Sequence, residues 1–163
     1  MIHRIIQQRK SMGLDSKDWQ ILEALQKNAR QSLASLGKRI GLSQPAMSER
    51  VQKLEAAGVI EGYGARVSLR EVGLGLQAIL RIRTTHQHIK RYLELFNDIP
   101  EVLEADRITG EDCFIVRCAF SQPADLETVV DALAVHGSVT TSLVLSNAVR
   151  KQVPVRPRNG PGN

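Results

Sequence analysis

The segment from Ser32 to Gly58 constrains the fold of this chain more than any other. It reads SLASLGKRIGLSQPAMSERVQKLEAAG. Ser32 and Ser43 each precede a run with helical periodicity, where a serine side chain accepts a hydrogen bond from a free backbone amide of the first turn. Between the two runs, Gly41 suits the left-handed conformation that ends many helices, and Leu42 can fill the space between them. Two short helices joined by this tight turn predict a helix-turn-helix.

A further helix is predicted before this pair. Asp15 is a good N-cap, Asp18 lies in the first turn, and apolar residues recur at helical spacing, at Ile21, Leu22 and Leu25. The pattern ends between Asn28 and Gln31. The first ten or so residues of the chain are expected to form a flexible or weakly helical arm. The first third of the chain is therefore predicted to be a unit of three helices.

The outward side chains of the third predicted helix are candidates for contact with a nucleic acid. With Met47, Val51 and Leu54 facing inward, the 3.6-residue period leaves four positions exposed and puts Glu49 and Arg50 on the flanks. The exposed positions are Gln44, Ser48, Gln52 and Lys53. Glutamine and serine pair with base edges, whereas lysine and arginine neutralise phosphates. The full set of candidates is Lys38, Ser43, Gln44, Ser48, Arg50, Gln52 and Lys53, with Arg39 beside them. A bundle whose polar face only meets water is the alternative.

Charge is distributed unevenly along the chain. Residues 1–66 carry 11 Lys and Arg against 6 Asp and Glu, a balance of +5, whereas residues 67–149 carry 7 against 11, a balance of −4. The last 14 residues add four basic groups and no acid. A basic module beside an acidic one indicates that only the basic part meets a polyanion. Surface charge scattered without a function remains the alternative.

The second half of the chain alternates strands and helices. Four glycines, at positions 62, 64, 73 and 75, and the run from Tyr63 to Leu69 predict a strand and a hinge. The elements predicted after the hinge follow the order β-α-β-β-α-β of a split βαβ unit. They are Leu76–Thr84, Gln87–Asn97, Val102–Thr109, Cys113–Phe120, Ala124–His136 and Val139–Ser146. The predicted class is α+β, a winged helix-turn-helix followed by a ferredoxin-like βαββαβ domain.

Several other classes of function find no support in the sequence. No apolar run is long enough to span a membrane, and MIHRIIQQRK is not expected to be a signal peptide. There is no nucleophile elbow, phosphate-binding loop or pair of catalytic carboxylates. His86, His88 and Cys113 make a weak metal site, and Gly62 and Gly64 lack the third glycine of a dinucleotide loop. We therefore expect no catalytic residue, no metal and no cofactor.

The two cysteines, Cys113 and Cys118, lie five residues apart in one predicted strand. Side chains alternate along a strand, so the two thiols are expected on opposite faces and no disulfide is expected between them. Such sparing use of cysteine fits a reducing cytoplasm.

The segment from Leu14 to Val67 resembles the leucine-responsive regulatory protein/AsnC family of prokaryotic transcription regulators. The resemblance continues through ITGEDCF and VTTSLVLS, so it covers residues 14–150. The residues that carry it in the first half are Leu14-Asp15, Asp18, Ile21-Leu22, Gly41-Leu42-Ser43, Glu49-Arg50-Val51, Leu54, Gly58-Val59-Ile60 and Gly62-Tyr63. It implies a cytoplasmic regulator that binds double-stranded DNA. It also implies a second domain that forms homodimers, often builds octamers, and binds an amino acid between subunits near a glycine-acidic loop.

The domains expected on this basis are a helix-turn-helix at residues 1–60, a linker at 61–75, an effector-binding and oligomerisation domain at 76–150, and a disordered tail at 151–163. The implied effector site falls on Asp106, Gly110, Glu111 and Asp112 of one subunit and on Thr140, Thr141 and Ser142 of its neighbour. Glycine in the turn lets backbone amides approach a carboxylate, and the acids suit an ammonium group. The loop reads Gly-Glu-Asp-Cys-Phe where many members read Gly-Asp-x-Asp-Tyr. A plain tight turn with solvated acids is the alternative.

A homodimer is also expected from the sheet itself. A ferredoxin-like sheet has helices on one face only, so the face with Ile79, Ile115 and Ala119 needs cover. The same face is predicted to carry Arg81, Arg83 and Arg117, which makes the interface both apolar and ionic. Two alternatives from other classes are an enzyme of the tetrapyrrole-decarboxylase type, which would need a basic, histidine-containing pocket, and an assembly module that does not bind DNA.

Overall fold

The computed structural model describes residues 13–149, which form two compact units. The chain divides between Ala65 and Arg66, inside the segment 61–75 that the sequence predicts to be a linker. The predicted N-terminal arm and the predicted disordered tail at 151–163 lie outside the described residues.

The first unit consists of three helices: α1 (Ser16–Lys27), α2 (Leu33–Ile40) and α3 (Gln44–Ala56). Each begins after a predicted capping residue, and these are Asp15, Ser32 and Ser43. Asp15 also donates its backbone amide to the Asp18 carboxylate at 3.0 Å, which completes a capping box. The buried core is formed by Ile21, Ala24, Leu36, Met47, Val51 and Leu54. The predicted three-helix unit is confirmed.

Beyond α3 the chain folds back on the helices without forming a strand. The amides of Val59 and Ile60 bond to the Leu54 carbonyl at 2.9 and 3.1 Å, and both side chains pack against the helical core. Residues 61–68 are exposed and have no regular secondary structure. The strand predicted from Tyr63 to Leu69, and with it the wing, was wrong. A strand needs a partner for its backbone groups, and none pairs with it in the described part of this unit.

The second unit is a four-stranded sheet with two helices, formed in the order β1 (Leu76–Thr84), α4 (Ile89–Asp98), β2 (Val102–Arg107), β3 (Phe114–Phe120), α5 (Pro123–Ala134) and β4 (Gly137–Leu143). A 3-10 turn at His86–His88 leads into α4. The strands lie in the order β2-β3-β1-β4, and every neighbouring pair is antiparallel. The predicted βαββαβ arrangement is confirmed.

The core of the second unit lies between one face of the sheet and the two helices. The β3 side chains that point into it are those predicted by alternation, Phe114, Val116, Cys118 and Phe120. Phe96 of α4 meets Phe114 edge to face, with ring centroids 5.1 Å apart. Burial raises the pKa of the Cys118 thiol to about 11, and both Cys113 and Cys118 are free.

Strand β4 begins and ends earlier than the predicted Val139–Ser146. It begins at Gly137 because this residue pairs with Thr84, the last residue of β1. A glycine is needed there because a Cβ would collide with the Arg83 carbonyl oxygen and lie 2.9 Å from Tyr92 Oη. It ends at Leu143, which lies opposite Ala78 of β1, and the next amide, of Val144, donates to the Gln77 carbonyl at 2.9 Å. The ends of the other elements of this unit agree with the prediction to within two residues.

Candidate nucleic-acid interface and effector region

The turn between α2 and α3 brings the two helices close together. Gly41 adopts a φ of 73°, the left-handed conformation predicted for it. Gly37, one turn earlier, is buried, and a Cβ there would lie 2.7 Å from the Leu42 carbonyl oxygen. The Leu42 amide in turn donates to the Gly37 carbonyl at 2.9 Å. Sequence reasoning missed this contact, although a glycine inside a short helix just before a turn is a signal for close backbone approach.

The outward face of α3 differs from the predicted one at two positions. Three of the four residues predicted to be exposed are exposed, namely Gln44, Gln52 and Lys53. Ser48 is instead half-buried, and Glu49, placed on a flank by prediction, is exposed. Both assignments were wrong for the same reason. Position 49 lies opposite the buried stripe of α3, and position 48 lies close to its edge.

Arg50 is held inside the first unit by two carboxylates. Its Nη1 lies 2.7 Å from Asp15 Oδ2 and 2.7 Å from Asp18 Oδ1. Hydrogen bonds to these carboxylates raise the pKa of Arg50. The Asp18 backbone amide and the Arg50 guanidinium lower the pKa of Asp15. The side chain that was predicted to contact phosphate therefore links α3 to the beginning of α1.

The remaining polar candidates of this unit differ in whether they already have hydrogen-bond or ion-pair partners within it. Ser43 caps α3 by accepting a hydrogen bond from the Ala46 amide at 3.4 Å. Lys53 Nζ lies 2.6 Å from Glu49 Oε1, one helical turn away, and this ammonium lowers the pKa of Glu49. Lys38 and Arg39 are exposed in the last turn of α2. Neither has an ion-pair partner within residues 13–149.

Four of the effector candidates belong to β2 and the loop that follows it. Gly110 adopts a φ of 121° in this loop, a conformation that favours glycine. Glu111 is exposed and ion-paired with Arg83 of β1, whereas Asp112 is half-buried. Sequence reasoning placed Arg83 on the sheet but did not connect it with this loop. The opposite charges gave no signal, because the two residues are far apart in the chain.

The effector candidates that belong to strands lie at opposite edges of the sheet. Asp106 is on β2, the strand at one edge, and Thr140, Thr141 and Ser142 are on β4, the strand at the other. Neighbouring strands lie about 4.8 Å apart, so three spacings separate these edges by about 14 Å. Thr141 also faces the other side of the sheet from Thr140 and Ser142. A single chain therefore does not bring all seven residues together.

The sheet face opposite the helices carries apolar and basic side chains together. Ile79 and Ile115 are half-buried, and the strand register places Arg117 opposite Ile79 and Arg81 opposite Ile115. Ala119 is already fully buried. The prediction that Ala119 needs cover from another chain was therefore wrong, because the chain covers that methyl group itself.

Both units match models of known protein domains. The AsnC-type helix-turn-helix domain matches residues 14–55, and the Lrp/AsnC ligand binding domain matches residues 77–154. The chain belongs to the Lrp/AsnC family of transcription regulators. The predicted family is thus confirmed.

Individual relatives are similar to this Lrp/AsnC regulator across both units. The uncharacterized HTH-type transcriptional regulator YezC of Bacillus subtilis is 36% identical over 135 residues, which cover 83% of this chain and 96% of YezC. The leucine-responsive regulatory protein of Rhizobium meliloti is 33% identical over 132 residues, 78% of this chain and 85% of the relative. Among solved structures, B. subtilis LrpC has a TM-score of 0.81 at 27% identity, covering 86% of this chain and 100% of LrpC. A transcriptional regulator from Neisseria meningitidis, solved as a complex with L-Met, has a TM-score of 0.78 at 30% identity, covering 90% and 97%.

Family membership decides between the classes of function left open by the sequence. The chain is a DNA-binding transcription regulator, and these relatives give no support to the decarboxylase or assembly-module alternatives. Among residues 13–149, no group of three or more His, Cys, Asp or Glu side chains could hold a metal ion. No helix within the same range is long and apolar enough to cross a membrane.

Proposed function

We propose that this regulator acts as a homodimer, reads a near-palindromic duplex with α3, and responds to an amino acid bound between second units. The proposed reading of DNA by α3 is supported mainly by the close turn at Gly37 and Gly41, which holds α3 against α2. In a helix-turn-helix the second helix enters the major groove with its N-terminal residues at the base edges. Two copies related by a two-fold axis present two such helices, about one helical turn of DNA apart.

The exposed residues of the first unit divide into two groups by chemistry. Gln44 at the start of α3 and Gln52 further along carry amides that pair with base edges, and Ser48 lies at the margin of this face. The phosphate contacts are Lys38, Lys53 and the α3 N-terminus at Ser43. We assign Arg50 to positioning α3, because its guanidinium is already shared by two carboxylates.

Selection of genomic fragments by the full chain at physiological salt tests the DNA-reading part. The expected result is an enriched motif with two half-sites about 10 bp apart. Gln44→Ala should reduce discrimination among sequences, whereas Lys38→Ala should weaken all sequences and lower the salt slope by about one. Lys90→Ala, which removes an exposed lysine of α4 in the second unit, is the matched control. If the selection recovers no enriched motif, the proposed sequence-specific reading of DNA is wrong.

The effector part of the proposal rests on the separation of Asp106 on β2 from the three candidates on β4, at the other edge of the sheet. Asp106, Gly110, Glu111 and Asp112 of one chain would complete a site with Thr140, Thr141 and Ser142 of its neighbour. The acids suit an ammonium group, and the backbone amides at Gly110 suit a carboxylate. The Neisseria relative was solved with an amino acid, L-Met. We further propose association of the dimers into octamers, and a cytoplasmic location, where the DNA lies and thiols stay reduced.

Calorimetry and thermal shift with each of the twenty amino acids at millimolar concentration, L-methionine first, test the effector part. A ligand that binds only the native state raises the melting temperature. Asp112→Ala and Thr141→Val should abolish the rise in melting temperature and leave ligand-free DNA binding unchanged. Thr128→Val on α5, the control, should change neither the ligand-induced rise nor DNA binding. Light scattering should show at least twice the 18.0 kDa mass of one chain. If no amino acid gives heat or a shift, the second unit serves assembly alone.

A further inference from the structure

We propose that Glu49 determines specificity by selecting a cytosine in each half-site, through a hydrogen bond that its carboxylate accepts from the cytosine N4 amino group. The inference rests on the proposed DNA-reading role of α3. It adds a residue that sequence reasoning had placed on the flank of the helix.

The position of Glu49 on α3 is the first observation that supports this role. Its side chain is 65% exposed and lies opposite the buried stripe of the helix, five residues after the exposed Gln44. The other acid of α3, Glu55, lies in the last turn and accepts a hydrogen bond from the Tyr63 hydroxyl at 2.8 Å. Glu49 is therefore the exposed carboxylate in the middle of α3, the helix proposed to read the DNA.

The ion pair with Lys53 orients this carboxylate. Lys53 Nζ contacts Oε1 at 2.6 Å, which leaves Oε2 to accept a further hydrogen bond. The same ammonium, with a smaller effect from Arg50, lowers the pKa of Glu49, so the group stays ionised and cannot donate. An ionised carboxylate only accepts hydrogen bonds.

The major groove offers one base edge that suits such a group. Guanine presents acceptors there and thymine presents an acceptor and a methyl group, while adenine places an acceptor beside its amino group. Cytosine presents the N4 amino group alone, and glutamate is a known partner for it. A carboxylate near phosphates also weakens binding to sequences that do not satisfy it, which is how a repulsive element creates specificity.

The test compares the base preferences of full-length wild type, E49Q and E49A by selection and by titration of single-base variants of the selected site. Wild type should require cytosine at one position of each half-site by roughly tenfold or more. Glutamine pairs with the adenine N6 and N7, so E49Q should move the preference at that position to adenine, and E49A should abolish it. E23Q is the matched control, because it removes the same charge and the same kind of ion pair, Glu23 with Lys27 at 2.5 Å, from α1.

The possible results separate this inference from the proposed function. A change confined to one position in E49Q and E49A, with the E23Q motif unchanged, supports it. An E49Q motif identical to that of wild type overturns it and leaves the proposed function intact. An equal gain in affinity for every duplex also overturns it, because Glu49 would then only repel DNA. If wild type selects no motif at all, both proposals fail.

Discussion

The two units of this regulator differ in how many of their candidate binding residues have partners within the same chain. In the first unit, Ser43 caps α3, Arg50 links α3 to α1, and Lys53 pairs with Glu49. In the second, Glu111 alone among the effector side chains has a side-chain partner in the described chain, Arg83. The strand candidates, Asp106 on β2 and residues 140–142 on β4, lie at opposite edges of the sheet. The DNA-reading surface is therefore built by the fold of one chain. The effector site, as proposed, is built only when a second copy supplies the other edge.

The largest effect should come from separating the copies. Ile79→Asp places a charge on the open face of the sheet, opposite Arg117 and Ser142 in the register. We expect an 18.0 kDa particle in light scattering at micromolar concentration and a complete loss of amino-acid heat. Leu93→Asp, at a position of α4 that is 48% exposed, should leave both unchanged. A folded Ile79→Asp monomer that still binds an amino acid would show that one chain suffices to form the effector site.

A large effect confined to the first unit is expected from Gly37→Ala. The added Cβ would lie 2.7 Å from the Leu42 carbonyl oxygen, so the turn must move away from α2. Overpacking of this kind costs about 1–3 kcal/mol. The single tryptophan of the chain, Trp19 of α1, reports the unfolding of this unit in a denaturant titration. Specific DNA affinity should fall with the stability, while amino-acid heat should persist.

Gly62→Ala is the matched control for that variant. A Cβ at Gly62 meets nothing within 4 Å, so the same substitution there should leave both the Trp19 transition and the DNA affinity unchanged. Equal losses in the two variants would contradict the close approach at Gly37, because the effect would then come from the loss of a glycine rather than from contact with the turn.

The features that the sequence predicted correctly are those determined by local chemistry. The caps Asp15, Ser32 and Ser43 act on amides within three residues, and the alternation along β3 follows from the geometry of a single strand. The features it missed depend on residues distant in the chain. Arg50 finds its carboxylates 32 and 35 positions earlier. Strand β4 begins at Gly137 because its partner there, Thr84, ends β1. The run from Tyr63 has strand-like residues but no strand to pair with among the described residues.

A smaller effect should follow acidification of the ion pairs at the beginning of α1. Asp15 has its pKa lowered below the ordinary 3.8 by the Asp18 amide and by Arg50. A depressed carboxyl pKa contributes stability above the ordinary value, and the contribution is lost as the pH falls through the lowered pKa. Because asparagine caps a helix as well as aspartate, Asp15→Asn removes mainly the exposed ion pair, worth about 0.5 kcal/mol at pH 7.

Denaturant titrations followed by Trp19 fluorescence at pH 7 and near pH 2 measure this difference. Wild type and Asp15→Asn should differ at neutral pH and converge in acid. Glu61→Gln, an exposed acid of the same unit without an ion-pair partner among the described residues, should match wild type at both. A difference for Asp15→Asn that persists unchanged in acid would show that Arg50 does not hold this carboxylate. The ion pair would then contribute nothing to the stability of the first unit.

The smallest effect concerns the two tyrosines, one in each unit. Burial and then the Glu55 carboxylate raise the pKa of Tyr63 to about 12, and burial raises the pKa of Tyr92, whose hydroxyl donates to the Leu133 carbonyl at 2.7 Å. A raised phenol pKa contributes stability below the ordinary value of 10, and this is lost as the pH rises through the folded value. For Tyr63, which is half exposed, the contribution is a few tenths of a kcal/mol.

Ultraviolet titration of phenolate in single-tyrosine variants separates the two units. Tyr92→Phe leaves Tyr63 to titrate near pH 12, and adding Glu55→Gln should move this step toward 10, because the carboxylate that disfavours the phenolate is gone. Tyr63→Phe leaves Tyr92, whose step should not respond to Glu55→Gln, since Glu55 contacts the tyrosine of the first unit alone. A Tyr63 that titrates at 10 with Glu55 in place would mean that the segment after α3 does not stay on the helix in solution. The first unit would then be less self-contained than its ion pairs and caps indicate.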